Sequence, residues 1–563
     1  MKLKVGSKQI VLPVDAKISI EKSSPLLNDD TGSFSYPFSV PTGPNQQALG
    51  WPGRLQRVGD IADQSFILED SGVQVMRGEV DFDDITAKEI GVILKSGYTE
   101  FYKKMEGKRL ADIDFGSESW PITTGAVTNK DSLDAAIDAK MAVWNAANTT
   151  DNGKYVLSTF VIGLDYATGD LYVNKYIHSD GSYGIKYFHA GTQHAEGSYC
   201  LQFRISFVIR KIFESAGYTV TEEVFSESAF FNKVVLFSNI ITIVYLSTKN
   251  TIAPVMNSLQ YSTLMPDIDV LSFLDSFKNM FCLMYEIDER KKEVRIKFKK
   301  DVFLRENLDT MKITELAGWT HSEKKAQKGF TLRYTAQDDE LATYSDYPEL
   351  IDMVSTLPAP TIEDKIVSLT SVTGRGRLYL TVKLDNEVLE WQKVGRLREV
   401  MVGDGENVAE INVKIPDQTS YKIMSGPSEW NLECPALRNI VRSYKNNKTI
   451  MPYLAITLYH GIHTLEGKNI SYASFDQYSL DGTIDTGMSL KPIYLYDNLY
   501  SEFLNWQTFR ARGFIKFIEL TLVQLIALQW GKQYNIGGID VILDKINYEL
   551  PHNGTVKIEG FTG

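Results

Sequence analysis

One short stretch gathers the side chains best suited to a metal: His189, His194, Glu196 and Cys200, with His178 close by. Imidazole, carboxylate and thiolate ligands can together close a zinc site. Here four residues separate the two histidines in a Gly-rich loop, whereas paired ligands usually sit about two to four residues apart on a preformed turn. Surface histidines are the plainer reading, and no metal is assigned. His460 and His463 repeat the pattern more weakly, as a strand-edge pair would. Asp81 with Asp83 and Asp84, and Asp481 with Asp485, suggest the paired acids of glycoside hydrolysis, but nearness in sequence does not make a cleft. Among 71 acidic residues such neighbours arise by chance, and solvated turns explain them. Gly374-Arg375-Gly376 and Gly403-Asp404-Gly405 begin like dinucleotide-binding loops, yet lack the third glycine and open no helix, so both read as hairpin turns. There is no Walker loop, HExxH, GxSxG or CxxC pair. The sequence therefore assigns no catalytic residue, cofactor or metal, and the chain reads as not an enzyme.

The bulk properties narrow the partners. In 563 residues, 59 Lys and Arg stand against 71 Asp and Glu, a net charge of -12. That is the wrong sign for a chain that grips nucleic acid by neutralising phosphates. A local basic run does exist: Lys291, Lys292, Arg295, Lys297, Lys299 and Lys300, with Phe298 interleaved. Its alternation with Val294 and Ile296 makes it the wet face of a hairpin or an interface rim. The 29 Tyr and 27 Phe are residue types that suit strands and large protein contacts. Three cysteines, Cys200, Cys282 and Cys434, are too few and too scattered for a disulfide framework, which fits synthesis in a reducing compartment. The opening residues carry no signal-peptide pattern, and the apolar run Val234 to Leu246 is short of the roughly 20 residues a membrane helix needs. No membrane anchor is expected.

The periodicity predicts the positioning elements. Short strands are expected at Phe66 to Leu68, Val73 to Met76 and Ile90 to Leu94. A helix is expected near Asp131 to Ala147, and another from Gln202 to Ala216, with Ile205, Val208, Ile209, Ile212 and Phe213 on one face and Gly217 ending it. A further helix opens at Asp267 or Asp269 and turns Val270, Phe273, Leu274, Phe277 and Phe281 inward. The hairpin Leu283 to Ile287 and Val294 to Phe298 follows. Strands return from about residue 311, including a pair around Asp385-Asn386. At the end come a strand Phe514 to Leu520, a short helix capped by Thr521, a turn at Asn535 to Gly538 and a last hairpin turning at His552 to Gly554. Pro25, Pro37, Pro41 and Pro52 predict that Leu26 to Trp51 is an extended, loop-like segment whose Phe34, Tyr36, Phe38 and Trp51 are assembly contacts.

Three stretches together resemble the tail hub or baseplate hub proteins of tailed bacteriophages. Ile20 to Asp29, Gly32 to Pro41, Asn45 and Leu49 to Pro52 are similar to the start of such hubs; Asp269 to Phe298 to their helix and strand pair; and Trp530 to Gly560 to their closing barrel strands. The resemblance implies a mainly β fold with α+β parts: two hub-type β-barrel domains, inserted segments and helix-hairpin units. It implies a homotrimer forming a ring that joins the tail tube to the tip or to spike or fibre proteins, in the virion's tail tip or baseplate, with DNA passing without specific binding. The expected segments are an N-terminal β domain (1–118), an insertion (119–195), an α+β segment (196–310), a β domain (311–420), an insertion or connecting segment (421–475) and a C-terminal barrel-closing segment (476–563). Two other classes stay open: a cell-surface carbohydrate-binding or carbohydrate-cleaving protein, and a tail-associated peptidoglycan hydrolase built on the His189 region.

Overall fold

The computed structural model describes residues 1–27, 32–52, 64–119, 153–163, 198–221, 229–238, 258–288, 290–309, 313–321, 417–425, 428–438, 454–465, 487–490 and 492–562 as continuous runs, with further separate pieces between them. The chain is mainly β, built on a large curled antiparallel half-barrel of 15 strands. Its strands come from both ends of the chain. The first eight are β1 (Lys2–Val5), β2 (Lys8–Ile10), β3 (Ile18–Ser23), β4 (Gly32–Ser35), β5 (Phe38–Pro41), β6 (Gln64–Asp70), β7 (Val73–Ile85) and β8 (Glu89–Gly97). A hairpin elsewhere in the fold supplies β9 (Leu283–Asp288) and β10 (Glu293–Phe298). The half-barrel resumes with β11 (Leu308–Asp309), β12 (Thr314–Glu315), β13 (Thr320–His321), β14 (Gly513–Glu519), β15 (Gln533–Ile536), β16 (Ile539–Leu550) and β17 (Thr555–Thr562).

The order runs β2-β1-β6-β7-β8-β4-β3-β16-β17-β14-β12, so residues expected in separate N-terminal and C-terminal segments meet at the β3–β16 seam. Ile18 faces Leu550 there and Ser23 faces Lys545. Period-two alternation sends one side chain in two to the concave face, where Ile18, Ile20, Phe66, Leu68, Val92, Leu94, Phe514, Ile518, Ile546, Val556 and Ile558 share one core. Helix α4 (Leu522–Ala527) adds Leu525 to that core. Its capping box is complete: Thr521 Oγ1 accepts from the Gln524 N–H at 3.2 Å, and Gln524 Oε1 from the Thr521 N–H at 2.9 Å.

Leu26 to Trp51 is not the loop-like segment its prolines suggest. Pro37 sits between β4 and β5, and Pro41 ends β5, so neither removes a donor the ladder needs. Both strands pair with β8, and at the break between them the Leu94 N–H donates to Ser35 Oγ at 2.9 Å. Asn45, fully buried, then bonds both backbone groups of Val11 at 2.8 Å and reaches the Pro41 carbonyl at 3.0 Å.

Helices α1 (Tyr98–Met105), α2 (Ile205–Ser215) and α3 (Val270–Met280) pack with the β9–β10 hairpin around a second core. The expected inward residues of α2 and α3 are all buried. Asp269 caps α3 through the Ser272 N–H at 2.8 Å, and Gly217, at φ +83°, ends α2. Helix α2 begins later than its periodicity suggests because Gln202 and Phe203 form a strand against Tyr155 and Val156. There the buried Gln202 amide holds the backbone of Ser158 from both sides.

Parts of both expected insertions associate. Phe160–Gly163 pairs with Ser428–Arg438, and Val234–Ser238 pairs with Leu454–Leu465, which in turn pairs with Lys468–Ser474. A small core of Val156, Phe160, Cys200, Val235, Phe237, Ala455, Tyr459 and Ala473 lies among them. Strands Ile366–Val372, Arg377–Leu384 and Glu387–Gln392 pair antiparallel in that order, and the turns expected at Gly374 to Gly376 and at Asp385-Asn386 lie outside the described residues. Strands Val400–Gly403 and Asn407–Ile411 lie on opposite sides of Gly329–Tyr334, while Asp404 and Gly405, where a hairpin turn is expected, lie outside the described residues. The helix expected near Asp131 to Ala147 lies outside the described residues apart from Val143.

Candidate assembly face

The convex face of the half-barrel is the side its alternation leaves without a core. Across it one row of paired positions runs Phe34, Glu21, Asn547, Lys557 and Phe517. Tyr36 stands beside Phe34, edge to face at 5.8 Å, and its hydroxyl donates to Glu21 Oε2 at 2.8 Å. Lys545 donates to the other Glu21 oxygen at 2.9 Å, and Lys557 pairs with Glu559 at 2.9 Å. Burial alone would raise the Glu21 carboxyl, but the hydrogen bonds from Lys545 and Tyr36 outweigh it and hold the group below its usual range. The same bonds push the Tyr36 phenol and the Lys545 ammonium up. The charges on this part of the face thus neutralise one another in fixed geometry.

What remains on offer is apolar. Tyr36 is 47% exposed, Phe517 45% and Leu316 48%, and the Leu316 N–H donates to the Phe517 carbonyl at 3.2 Å. Of the four aromatics singled out by sequence, Phe34 and Tyr36 lie on this face, whereas Phe38 packs against the concave core. Trp51 is half-buried at φ +61°, its N–H donating to the Gln46 carbonyl at 2.7 Å. Leu316 and Phe517 were not singled out. The signal for Phe517 was its phase: Phe514, Lys516 and Ile518 alternate inward, which leaves Phe517 facing out.

His189 and His194 face each other in backbone register, Glu196 lies outside the described residues, and Cys200 is buried in the small core. Burial pushes the Cys200 thiol up to about 12, which opposes the thiolate a metal needs. Among the described residues no group of three or more His, Cys, Asp or Glu side chains could hold a metal ion. His460 sits in the irregularity between Tyr459 and Gly461, past the end of the pairing with Val234–Ser238; its ring bonds Ser474 Oγ at 3.0 Å, and burial depresses its pKa to about 3. Asp81 is ion-paired with Lys95 at 2.6 Å, and Asp481 and Asp485 lie outside the described residues. A groove of about 490 Å³ at the barrel rim holds Asp70, Glu519 and His552, but Asp70 accepts the His552 N–H and the His552 ring bonds the Leu520 carbonyl.

The basic run is engaged within the chain. Lys292 pairs with the buried Glu100, which also takes Lys104 at 2.8 Å, and Arg295 lies 3.9 Å from Glu286. Lys291 faces Glu293 at 3.8 Å, Lys300 donates to the Asn498 carbonyl at 2.6 Å, and Lys299 lies over the Phe503 ring. Among the described residues no helix is long and apolar enough to cross a membrane.

No family model and no curated protein matches the chain. Among solved structures, a 43 kDa tail protein of prophage MuSo2 from Shewanella oneidensis aligns over 100% of this chain and 97% of its own at 9% identity, with a TM-score of 0.31. Prophage tail protein gp18 from Listeria monocytogenes aligns over 100% of this chain and 94% of its own at 6% identity, with a TM-score of 0.33. Overlaps this loose establish neither fold nor role.

Proposed function

We propose that the chain is a structural protein of a bacteriophage tail, a hub that works as a homotrimeric ring between the tail tube and the tip or spike. One observation carries the reading: the three stretches that resemble tail hubs, far apart in sequence, pack as one body. The first and third share the β3–β16 seam, and the second is tied to the third where the Trp530 N–H donates to Glu286 Oε1 at 2.9 Å, and to helix α4 just before it where Arg290 donates to the Ile526 carbonyl at 3.3 Å. Ring contacts are heterologous, so each subunit needs two unlike patches. The face bearing Tyr36, Phe517 and Leu316 is assigned as one of them, and its neighbour is a second copy. No catalytic role is assigned.

Electron microscopy of tail particles tests this directly. A ring of three copies around an axial hole at the tube's end is the expected result. A single copy per particle, or a strictly two-fold dimer, overturns the hub.

A further inference from the structure

A lysine sits where the barrel core calls for an apolar side chain. Lys516 points to the concave face between Phe514 and Ile518, opposite Ile558, and its side chain is 0% exposed. Its partners lie on one strap, described at residues 308–309, 311 and 313–321. Glu315 Oε2 accepts its proton at 2.5 Å, and the Trp319 ring lies 3.8 Å from its ammonium while stacking edge-on against Phe514. The strap's other polar ties are the three two-residue strands β11, β12 and β13, the Leu316 N–H on the Phe517 carbonyl at 3.2 Å and Lys532 on Asp309 at 3.4 Å. Met311, Ile313 and Trp319 lay its apolar side against the barrel core. The turn between β15 and β16 is shaped around the same acid: Gly537, at φ +58°, leaves room that any Cβ would take from the Glu315 carboxylate.

We infer that Glu315, Lys516 and Trp319 form a one-sided latch that keeps the strap shut over the half-barrel. The asymmetry comes from burial. Glu315 is 34% exposed and can be solvated if its partner is lost, whereas Lys516 without its partner is a bare charge in an apolar core. Short, weakly paired segments are the first to open locally, so the strap's closure depends on the acid and hardly on the lysine. The latch needs no second copy and stands apart from the tail reading.

Hydrogen–deuterium exchange of the full chain, read by mass spectrometry on the peptide spanning 308–321, tests it. Glu315→Gln is expected to speed exchange there by roughly tenfold or more while β16 and β17 keep their protection, and Lys516→Met by about twofold at most. The double variant, which removes the buried charge, returns close to the parent rate. It also serves as arbiter if Glu315→Gln fails to fold: it must then fold with a protected strap. Equal acceleration by the two single changes, no acceleration by Glu315→Gln, or an unprotected strap in the double variant overturns the latch.

Discussion

Tyr36 shows how an exposed side chain can be held in one pose by its neighbours, and Phe517 how strand phase turns an aromatic ring outward. The Tyr36 hydroxyl is held by Glu21, which is held in turn by Lys545, so the exposed ring has a fixed pose and little rotamer freedom left to lose on binding. Phe517 leaves the other end of the same row facing solvent. Replacing Tyr36 with Ala and Phe517 with Ser should weaken subunit association by about 1–3 kcal/mol together, while the melting temperature of the dissociated chain changes little. Sedimentation of wild type and variant over a concentration series reads the first, and calorimetry the second. Unchanged association would remove the convex face from the assembly. Tyr36 was legible from sequence as an aromatic between prolines; Leu316 was not, because only its register against Phe517 makes it a neighbour.

At the scale of elements, local rules located most of what was expected. Asp269, Thr521 and Gly217 mark helix ends as capping chemistry predicts, and the alternation in Val294 to Phe298 and Val556 to Ile558 marks strands. Leu26 to Trp51 went otherwise because its order comes from partners distant in sequence, above all Ser35 on Leu94 and Asn45 on Val11. Asn45→Ala removes three hydrogen bonds and leaves the Pro41 and Val11 carbonyls without that partner, so it should destabilise the fold by about 1–3 kcal/mol. Urea titration followed by tryptophan fluorescence measures this, and no shift in midpoint would show that water replaces the amide fully. The mid-chain candidates fared differently again. Cys200 and His460 read as possible ligands by type, yet folding buries both, which pushes the thiol's pKa up and the imidazole's down.

For the whole molecule, charge bears on how the chain meets nucleic acid. In the Lys291 to Lys300 run, Lys291, Lys292, Arg295, Lys299 and Lys300 meet an acid, a carbonyl or a ring of the same chain, so the run is not an open track for phosphates. Filter binding of the assembled protein to duplex DNA at low salt should accordingly show weak retention, unchanged when Lys291, Lys297 and Lys299 become Gln. Tight, steeply salt-dependent binding abolished by those changes would make the hairpin a DNA contact instead. The sequence by itself determined the mainly β class, the helices α2 and α3, the hairpin after α3 and the closing strands, because these follow from periods and caps spanning a few residues. Tertiary structure alone decided that both chain ends share one sheet, that parts of two distant expected insertions meet in one small core, and that Lys516 lies under Glu315 and Trp319. Each of these depends on strand pairing over hundreds of residues, and a local pattern specifies that a strand has a buried face without specifying which strand lies beside it.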